Sequence, residues 1–303
     1  MKPINFVYYQ IKPLLPRRFQ IWLRSSMVRM KRERCKEIWP ILERSAAPPG
    51  KWSGWPGGKT FALVLTHDVD TAAGQTKCLD LMRLEQSLGF RSSFNFVPER
   101  YDVSAELRRR LDTNGFEIGV HGLNHDGKLF QSKRIFDERS GKINRYLREW
   151  NAVGFRSPAM HHNLEWIQEL EIEYDASTFD TDPFEPQSDG IESIFPFKYT
   201  GNGPCRGYIE LPYTLPQDFT LFVLMKEIDV SIWRRKLDWI AGKGGMALVV
   251  THPDYMSFCG KPGMEEYPVR HYSELLKCIA IKYHGSYWHA LPREMAQFWS
   301  SIS

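Results

Sequence analysis

Two short apolar runs constrain the fold of this chain more than any other feature of its sequence. They are residues 61–66 (FALVLT) and 246–251 (MALVVT), and polar or glycine-rich residues flank both. Continuous apolar runs of this length are typical of strands buried on both faces, as in a parallel sheet covered by helices. We therefore expect a parallel sheet at the core of the protein.

Strand-like segments alternate with segments of helical periodicity along the rest of the chain. Further strands are predicted at residues 93–97, 116–120, 153–155, 174–179, 208–211 and 219–224. Helices are predicted at residues 77–88, 104–112, 128–150, 164–170, 232–241 and 271–283, with a break at Gly141 in the longest. This alternation indicates a parallel α/β fold, either a barrel or an open sheet.

Charge is distributed unevenly along the 303 residues. Residues 1–50 carry 11 Lys/Arg and 3 Asp/Glu, a balance of +8, whereas the remaining residues carry 29 and 33, a balance of −4. A stretch rich in Pro, Gly and Ser over residues 45–58 separates the two parts. We predict a basic helical extension and linker over residues 1–58 and one main domain over residues 59–303.

The extension is predicted to form a basic amphipathic helix over residues 17–39. Apolar residues recur there at helical spacing, at Phe19, Leu23, Met27, Met30 and Ile38. Three interpretations are open: a structural cap that packs under the main domain, contact with an anionic membrane surface, or nucleic-acid binding. No nucleic-acid-binding motif accompanies the helix, so we expect no nucleic-acid partner.

The cysteines and the N-terminal residues bear on the compartment. The sequence has no C-x-x-C spacing, and reduced thiols are expected at Cys35, Cys78, Cys205, Cys259 and Cys278. The N-terminal residues lack the apolar run of a signal peptide, and no run approaches the roughly 20 residues that span a bilayer. These features predict a cytoplasmic protein, with peripheral contact to the inner face of the membrane as an alternative.

Polar clusters follow four of the predicted strands. They are residues 66–70 (THDVD), 121–125 (HGLNH), 156–158 (RSP) and 251–254 (THPD). In parallel α/β folds, ligands and catalytic groups collect at the carboxyl ends of strands. Because His, Asp and Arg bind metals and transfer protons, we predict the active site at this edge of the sheet.

The spacing of His121 and His125 matches that of the H-E-x-x-H zinc proteases, but Gly122 stands where their general-base Glu would be. Glycine is unfavourable inside a helix, so a turn that presents two imidazoles suits the sequence better. Asp68 or Asp70 would complete a two-histidine, one-carboxylate metal site with hydrolytic chemistry. Both carboxylates point to the same side of an extended strand end, so one can bind metal while the other acts as general base.

The order of these motifs resembles the polysaccharide deacetylase superfamily, the NodB-homology carbohydrate esterases. T-H-D-x-D, H-x-x-x-H, R-x-P and a strand ending in hydrophobic-x-His occur in that order over about residues 60–260. The resemblance implies an α/β fold with a distorted (β/α)7-type barrel. It also implies removal of N- or O-acetyl groups from glycans with a divalent metal, usually Zn²⁺.

The resemblance also implies roles for individual residues. Asp70, His121 and His125 would bind the metal, Asp68 would be the general base, and His252 would be the general acid. Arg156 would orient Asp68 and keep it ionised. Further candidates for substrate contact are Pro158, Asp180, Asp182, Tyr213 and Val250, the last of which would line the acetyl pocket.

Two positions and one motif depart from the commonest family pattern. Val69 separates the two aspartates, which are adjacent in most members, and Ala159 replaces the usual aromatic residue after R-x-P. The motif whose aspartate supports the general acid is not clearly defined. Asp180 and Asp182 are its candidates, and Asp175 is a weaker one.

The motifs predict a metal-dependent hydrolase that deacetylates an N-acetylated sugar or polysaccharide precursor, such as an envelope glycan. One alternative is a hydrolase of the same fold that acts on a non-glycan amide, such as a cyclic imide or ureide. Another is a catalytically silent glycan-binding or membrane-peripheral protein. The joint presence of a base, an acid and three ligands argues against the silent protein, because a binding module needs none of them.

Overall fold

A computed structural model describes residues 16–50, 52–201 and 207–302, and its main sheet has nine strands. The strands of the molecule are β1 (Phe61–Val69), β2 (Ser93–Phe96), β3 (Glu117–His121), β4 (Gly154–Arg156), β5 (Tyr174–Asp175), β6 (Phe197–Tyr199), β7 (Tyr208–Glu210), β8 (Met246–Thr251), β9 (Met256–Ser257), β10 (Tyr267–Pro268) and β11 (Tyr287–His289). Strands β9 and β10 form a separate pair.

Helices surround the main sheet. They are α1 (Arg17–Arg34), α2 (Ala72–Ser87), α3 (Ala105–Thr113), α4 (Lys133–Glu149), α5 (Leu164–Ile167), α6 (Ser231–Lys243), α7 (Arg270–Lys282) and α8 (Pro292–Ile302), with a π-helix at Phe219–Leu224. None of the described helices is both long and apolar enough to cross a membrane.

The sheet is parallel and curls into a half-barrel. Its parallel strands follow the order β8-β1-β2-β3-β4-β5-β7, and β6 pairs antiparallel with β7 at one edge. Strand β11 pairs with the first residues of β1, ahead of the pairing with β2. The predicted α/β fold with a distorted barrel is confirmed.

Strands β1 and β8 lie side by side and are buried along their whole lengths. They are apolar on both faces because one face points into the barrel and the other packs against helices. This is the arrangement that the two apolar runs predict. It places the polar residues at their carboxyl ends next to each other.

The gap between β7 and β8 is bridged by residues 213–215, which follow β7. The amide of Tyr213 donates to the carbonyl of Thr178 (2.9 Å), and the amide of Thr214 donates to the carbonyl of Leu248 in β8 (3.1 Å). The Thr214 hydroxyl donates to the carbonyl of Met246 (2.8 Å) and accepts from the amide of Leu248 (3.0 Å). Side-chain and backbone hydrogen bonds therefore complete the curl.

Several predicted elements differ from the observed ones. Residues 219–224 form a π-helix, so the strand predicted there is wrong. Helix α4 runs through Gly141 without a break. The N-terminal helix ends at Arg34 rather than at residue 39, and the strand predicted at residues 174–179 is regular over only two residues.

Helix α1 packs on the barrel through a face that the sequence pattern did not indicate. Ile21, Ser25 and Val28 are buried, whereas Phe19 and Met30, two of the apolar residues that predicted the helix, are exposed. The apolar residues singled out in the sequence therefore do not form the packed face. The face predicted to be apolar is the exposed one, and a second, packed face carries Ile21 and Val28.

The segment rich in Pro and Gly is held to the barrel by aromatic side chains. Trp55 is buried, and its indole N–H donates to the carbonyl of Gly244 (2.8 Å). The rings of Trp52 and Trp299 lie 5.1 Å apart. Four cysteines, Cys35, Cys78, Cys259 and Cys278, are free thiols as expected, and Cys205 lies outside the described residues.

Candidate active site and metal centre

The carboxyl ends of β1, β3, β4 and β8 meet at one edge of the sheet and bring the predicted site residues together. Asp68 lies in β1, and Asp70 is the first residue after that strand. His121 and Arg156 are the last residues of β3 and β4, and His252 follows β8. Because parallel strands present their carboxyl ends on the same side, residues distant in sequence become neighbours.

Asp70, His121 and His125 form a cluster whose ligand atoms all lie within 4.8 Å of one another. Asp70 Oδ1 is 3.4 Å from His121 Nε2 and 3.0 Å from His125 Nε2. Among the described residues this buried oxygen has no hydrogen-bond partner. Two imidazoles and one carboxylate are the donors that bind a hydrolytic Zn²⁺, so the residues fit a divalent cation.

The tautomer of His121 follows from its backbone contact. His121 Nδ1 lies 3.1 Å from the carbonyl oxygen of Arg156, which can only accept, so Nδ1 carries the proton. The lone pair of Nε2 then points toward Asp70. An imidazole held in this way is oriented for metal binding.

The turn between the two histidines depends on Gly122. Its φ of +61° is a left-handed conformation, and a Cβ atom built there would lie 2.5 Å from Cδ of Pro158. His125 also has a positive φ, of 54°. The chain therefore bends sharply after β3 and returns the second imidazole to Asp70 through a loop rather than a helix.

Asp254 anchors the loop that carries Asp70. Its carboxylate accepts hydrogen bonds from the amide of Asp70 (2.9 Å) and from the hydroxyl of Thr71 (2.5 Å). The hydroxyl of Tyr255 lies 3.4 Å from Asp70 Oδ2. Asp254 thus positions the carboxylate of the candidate metal centre.

Asp68 is a buried carboxylate with an asymmetric environment. Its Oδ1 accepts from Asn95 Nδ2 (2.9 Å) and from Arg156 Nη1 (3.2 Å), whereas its Oδ2 lies 3.9 Å from His121 Nε2. Burial raises the pKa of Asp68, but the neighbouring groups, above all the charge of Arg156, outweigh it and hold the pKa below its usual value. Asp68 is therefore an ionised base whose Oδ1 accepts two hydrogen bonds and whose Oδ2 faces the Asp70–His121–His125 cluster.

Arg156 is itself buried and fixed by two further contacts. Its Nε donates to the carbonyl of Ala176 (2.8 Å), and its Nη1 donates to the hydroxyl of Thr66 (2.8 Å). The Arg156 side chain therefore crosses the interior of the barrel from β4 to β1. The guanidinium is thereby held beside Asp68, as the resemblance implies.

Asn95 is a site neighbour that the sequence did not indicate. It faces Asp68 across the β1–β2 ladder and Gly119 across the β2–β3 ladder. A Cβ atom at Gly119 would lie 2.1 Å from the side-chain oxygen of Asn95, so glycine leaves the room that Asn95 occupies. A polar residue within the apolar strand 93–96 was the only signal in the sequence.

His252 is held by Asp218 rather than by the predicted aspartates. Its Nδ1 lies 2.7 Å from Asp218 Oδ1, its amide donates to Asp218 Oδ2 (2.8 Å), and Tyr267 also donates to Oδ2 (2.9 Å). Burial lowers the pKa of His252, but Asp218, with smaller contributions from Asp70 and Asp68, raises it to about 10. His252 is therefore an imidazolium, and among the described residues no hydrogen bond engages its Nε2.

The predicted supporting aspartates have other partners. Asp180 forms a buried ion pair with Lys236, Asp182 accepts from the hydroxyl of Tyr213 (2.9 Å), and Asp175 accepts from Ser177 (2.6 Å). None of these contacts involves His252, so the assignment of the supporting motif to Asp180 or Asp182 is wrong. Asp218 directly precedes residues 219–224 as a helix cap, and the prediction of a strand there hid that signal.

The remaining candidates differ in their accessibility. Pro158 lines a pocket together with His125 and His161. Val250 lies two residues before His252 in extended backbone, so the two side chains point to the same side of the chain. Tyr213 is buried and its hydroxyl donates to Asp182, so the structure does not place it as a substrate contact.

His67 points away from the cluster, as expected for the residue before Asp68. Its ring nitrogens lie 2.7 Å from the hydroxyl of Thr251 and 2.8 Å from Glu85 Oε1. The side chain is fully buried. It stabilises the packing between β1, β8 and α2 and does not approach the ligands.

The fold of this chain is similar to that of solved structures assigned as polysaccharide deacetylases. A protein assigned as a polysaccharide deacetylase from Mycobacterium smegmatis aligns with a TM-score of 0.63 and 18% identity, over 84% of this chain and 95% of that chain. A second, from Pseudomonas aeruginosa PAO1, gives a TM-score of 0.57 and 15% identity, over 82% of this chain and 93% of that chain.

The Puue allantoinase aligns similarly, with a TM-score of 0.60 and 14% identity, over 86% of this chain and 98% of that chain. No protein-family model matches the sequence, and no curated protein matches it. These likenesses show that the chain shares the fold expected from the order of its motifs.

Proposed function

We propose that the protein is a metal-dependent hydrolase that removes acetyl groups from an N-acetylated sugar or polysaccharide precursor. The observation that carries the proposal is the convergence of three groups at one edge of the sheet. They are the ionised Asp68, the Asp70–His121–His125 cluster and the protonated His252. A base, a cation site and an acid together suit hydrolysis of an amide bond.

Asp70, His121 and His125 would hold the divalent cation, and Zn²⁺ suits their nitrogen and oxygen donors. A cation bound there would polarise the acetyl carbonyl and lower the pKa of an attacking water. Asp254 and the carbonyl of Arg156 orient two of the three ligands through hydrogen bonds. Such supporting contacts strengthen metal binding.

Asp68 accepts the proton of the attacking water through Oδ2. Its Oδ1 is occupied by Asn95 and Arg156, which fix the orientation of the carboxylate and keep it ionised. His252 donates the proton of its Nε2 to the leaving nitrogen, and Asp218 on Nδ1 stabilises the imidazolium until the transfer. Acetate and a free amine are the products.

The substrate class rests on the fold shared with structures assigned as polysaccharide deacetylases. The cytoplasmic location predicted from the sequence favours a small or lipid-linked acetylated precursor over finished polymer. Pro158 and Val250 remain the predicted substrate contacts, since both lie beside the residues that would act on the acetyl group.

A cyclic amide or ureide is the second candidate substrate. The allantoinase aligns almost as well as the first deacetylase, with TM-scores of 0.60 and 0.63. Ala159 also supports this candidate, because it leaves out the aromatic wall expected after R-x-P. Both reactions hydrolyse a carbon–nitrogen bond, so the same base and acid would serve.

Metal analysis and acetate release from N-acetylglucosamine oligomers, before and after chelation, test the proposal. We expect bound zinc, loss of activity on chelation, and loss of metal in His121→Ala. In Asp68→Asn, activity falls about 10²–10⁴-fold while metal stays bound. The exposed His284→Ala is the control and behaves as wild type.

Full activity of His121→Ala without metal would remove the metal centre from the proposal. Turnover of cyclic amides alone would favour the second candidate. Bound metal without turnover of either substrate class would favour the silent binding protein.

A further inference from the structure

Helix α1 has an exposed apolar face opposite its packed face. Four apolar side chains on this face are solvent-exposed: Phe19 (43%), Trp22 (57%), Met27 (53%) and Met30 (65%). We call these four residues the outer stripe. Ile21 and Val28 are buried on the opposite side of the helix. At about 100° per residue, the centre of the outer stripe lies roughly 180° from the packed face.

Contacts with the barrel fix the rotation of α1. The guanidinium of Arg24 lies 4.8 Å from the ring centroid of Phe219, Arg32 pairs with Glu227, and Lys31 donates to the carbonyl of Pro183. These residues come from the packed side and its margins. The outer stripe therefore cannot turn inward without breaking them.

Cations border the outer stripe on both sides. On the helical projection Arg18 and Arg29 lie beside Trp22, and Arg34 lies beside Met27. All three arginines are exposed, and within the described residues none forms an ion pair. Glu33, the acidic residue of α1, is paired with Lys36.

We infer that the outer stripe docks on an anionic membrane surface. Large apolar side chains with flanking arginines are the composition of helices that lie in the interface of a bilayer. Charge decides between a bilayer and a second copy of this chain, because a symmetric pairing of two stripes would bring like-charged arginines together. Anionic headgroups instead neutralise them.

The packed side of α1, opposite the outer stripe, lies close to the candidate site. Phe219, the ring under Arg24, directly follows Asp218, which holds His252. The ring of Phe219 also lies 4.7 Å from that of Tyr255, which in turn lies 5.1 Å from the imidazole of His252. Docking would therefore place α1 between the membrane surface and the His252 side of the site.

Co-sedimentation with vesicles tests the inference. Wild-type protein is expected to pellet with vesicles of phosphatidylglycerol and phosphatidylcholine and not with phosphatidylcholine alone. A Trp22→Ser/Met30→Ser variant should bind at least about tenfold more weakly, since it removes two apolar anchors. An Arg18→Gln/Arg29→Gln variant should lose affinity, and salt should weaken wild-type binding by screening.

The matched control removes exposed apolar residues elsewhere. Ile228 and Ile281 are 85% and 80% exposed and lie outside α1, so Ile228→Ser/Ile281→Ser should pellet as wild type. Thermal unfolding checks that all variants are folded. The assay needs no turnover, so its result is independent of the proposed reaction.

Three results would overturn the inference. The first is equal binding by the Trp22→Ser/Met30→Ser variant and the control. The second is wild-type binding that does not depend on anionic lipid, or no binding to either vesicle. The third is a wild-type dimer in sedimentation velocity that the Trp22→Ser/Met30→Ser variant dissociates while vesicles remain unbound, which would assign the stripe to a second copy of the chain.

Discussion

Asp218 approaches His252 from a segment 34 residues earlier in the chain. Its two oxygens receive the imidazole Nδ1, the backbone amide of His252 and the hydroxyl of Tyr267. With the amide of Phe219, which also donates to Oδ1 (2.8 Å), the carboxylate has four donors. A buried carboxylate held in this way stabilises a neighbouring positive charge strongly because little solvent screens it. The protonation state of His252 thus depends chiefly on one residue that no local motif identifies.

Replacing Asp218 by Asn should lower the pKa of His252 from about 10, because the group that raises it is lost. His252 then loses its proton at a lower pH, and the alkaline limb of the pH–rate profile moves to lower pH. A general acid typically raises the rate about 10²–10⁴-fold, so the rate of the variant at alkaline pH should fall by up to that factor. The pH dependence of kcat/KM measures both effects.

Tyr267→Phe is the matched control, since it removes one donor to Asp218 and keeps the carboxylate. Its alkaline limb should stay close to that of wild type. An unchanged limb in Asp218→Asn would contradict the role of His252 as the acid.

Much of the candidate site could be predicted from residues that follow apolar strands. Asp68, His121 and Arg156 stand at strand ends, and the parallel arrangement brings them together. Asn95 could not be predicted in the same way, because its contact with Asp68 depends on strand register. Register is set by pairing between strands and leaves little trace in a single strand's composition.

At the scale of elements, residues 219–224 show the limit of local patterns. The run FTLFVL is apolar on every side and suits a buried strand or a buried helix equally well. The structure forms a π-helix there, and the Phe222 ring contacts those of Trp233, Tyr267 and His271. Asp218 caps this helix, so the misassigned element also concealed the partner of His252.

The packed face of α1 gives the second prediction. If the extension and the barrel unfold together, Ile21→Ala creates a cavity in their interface and lowers the free energy of unfolding by about 2 kcal/mol or more. Trp22→Ala removes an exposed side chain on the other face and should change the free energy of unfolding by less than about 0.5 kcal/mol. Urea unfolding of both variants measures the difference.

Equal effects of the two substitutions would contradict the packed orientation of α1. A separate early transition that only Ile21→Ala shifts would show that the extension unfolds independently of the barrel. Its assignment as a separate domain over residues 1–58 would then be supported.

At the scale of the whole molecule, the curl depends on residues that bridge β7 and β8. Thr214 supplies both a donor and an acceptor to β8, and it is buried. Thr214→Val keeps the shape of the side chain and removes both hydrogen bonds. The carbonyl of Met246 loses a donor and the amide of Leu248 loses its acceptor, so we expect a loss of about 1–3 kcal/mol of unfolding free energy.

Thr113→Val is the control, because its hydroxyl donates to the carbonyl of Arg109 at an exposed position. It should change the free energy of unfolding by less than about 0.5 kcal/mol. Faster hydrogen exchange at the Leu248 amide in Thr214→Val would locate the effect at the bridge. Equal stability of the two variants would contradict the role of Thr214.

The sequence by itself determined the parallel α/β class, the edge that carries the site and most residues of the candidate metal centre. These properties follow from local patterns: buried apolar runs, helical periodicity and polar residues at strand ends. They need no knowledge of which strands pair.

Only the tertiary structure decided the contacts between distant segments. Asp218 beside His252, Asn95 beside Asp68, and the face of α1 that packs all arise where separate elements meet. Each depends on register, helix rotation or capping, and these are selected by the packing free energy of the whole core. A local pattern contains the residues for such contacts but not the geometry that brings them together.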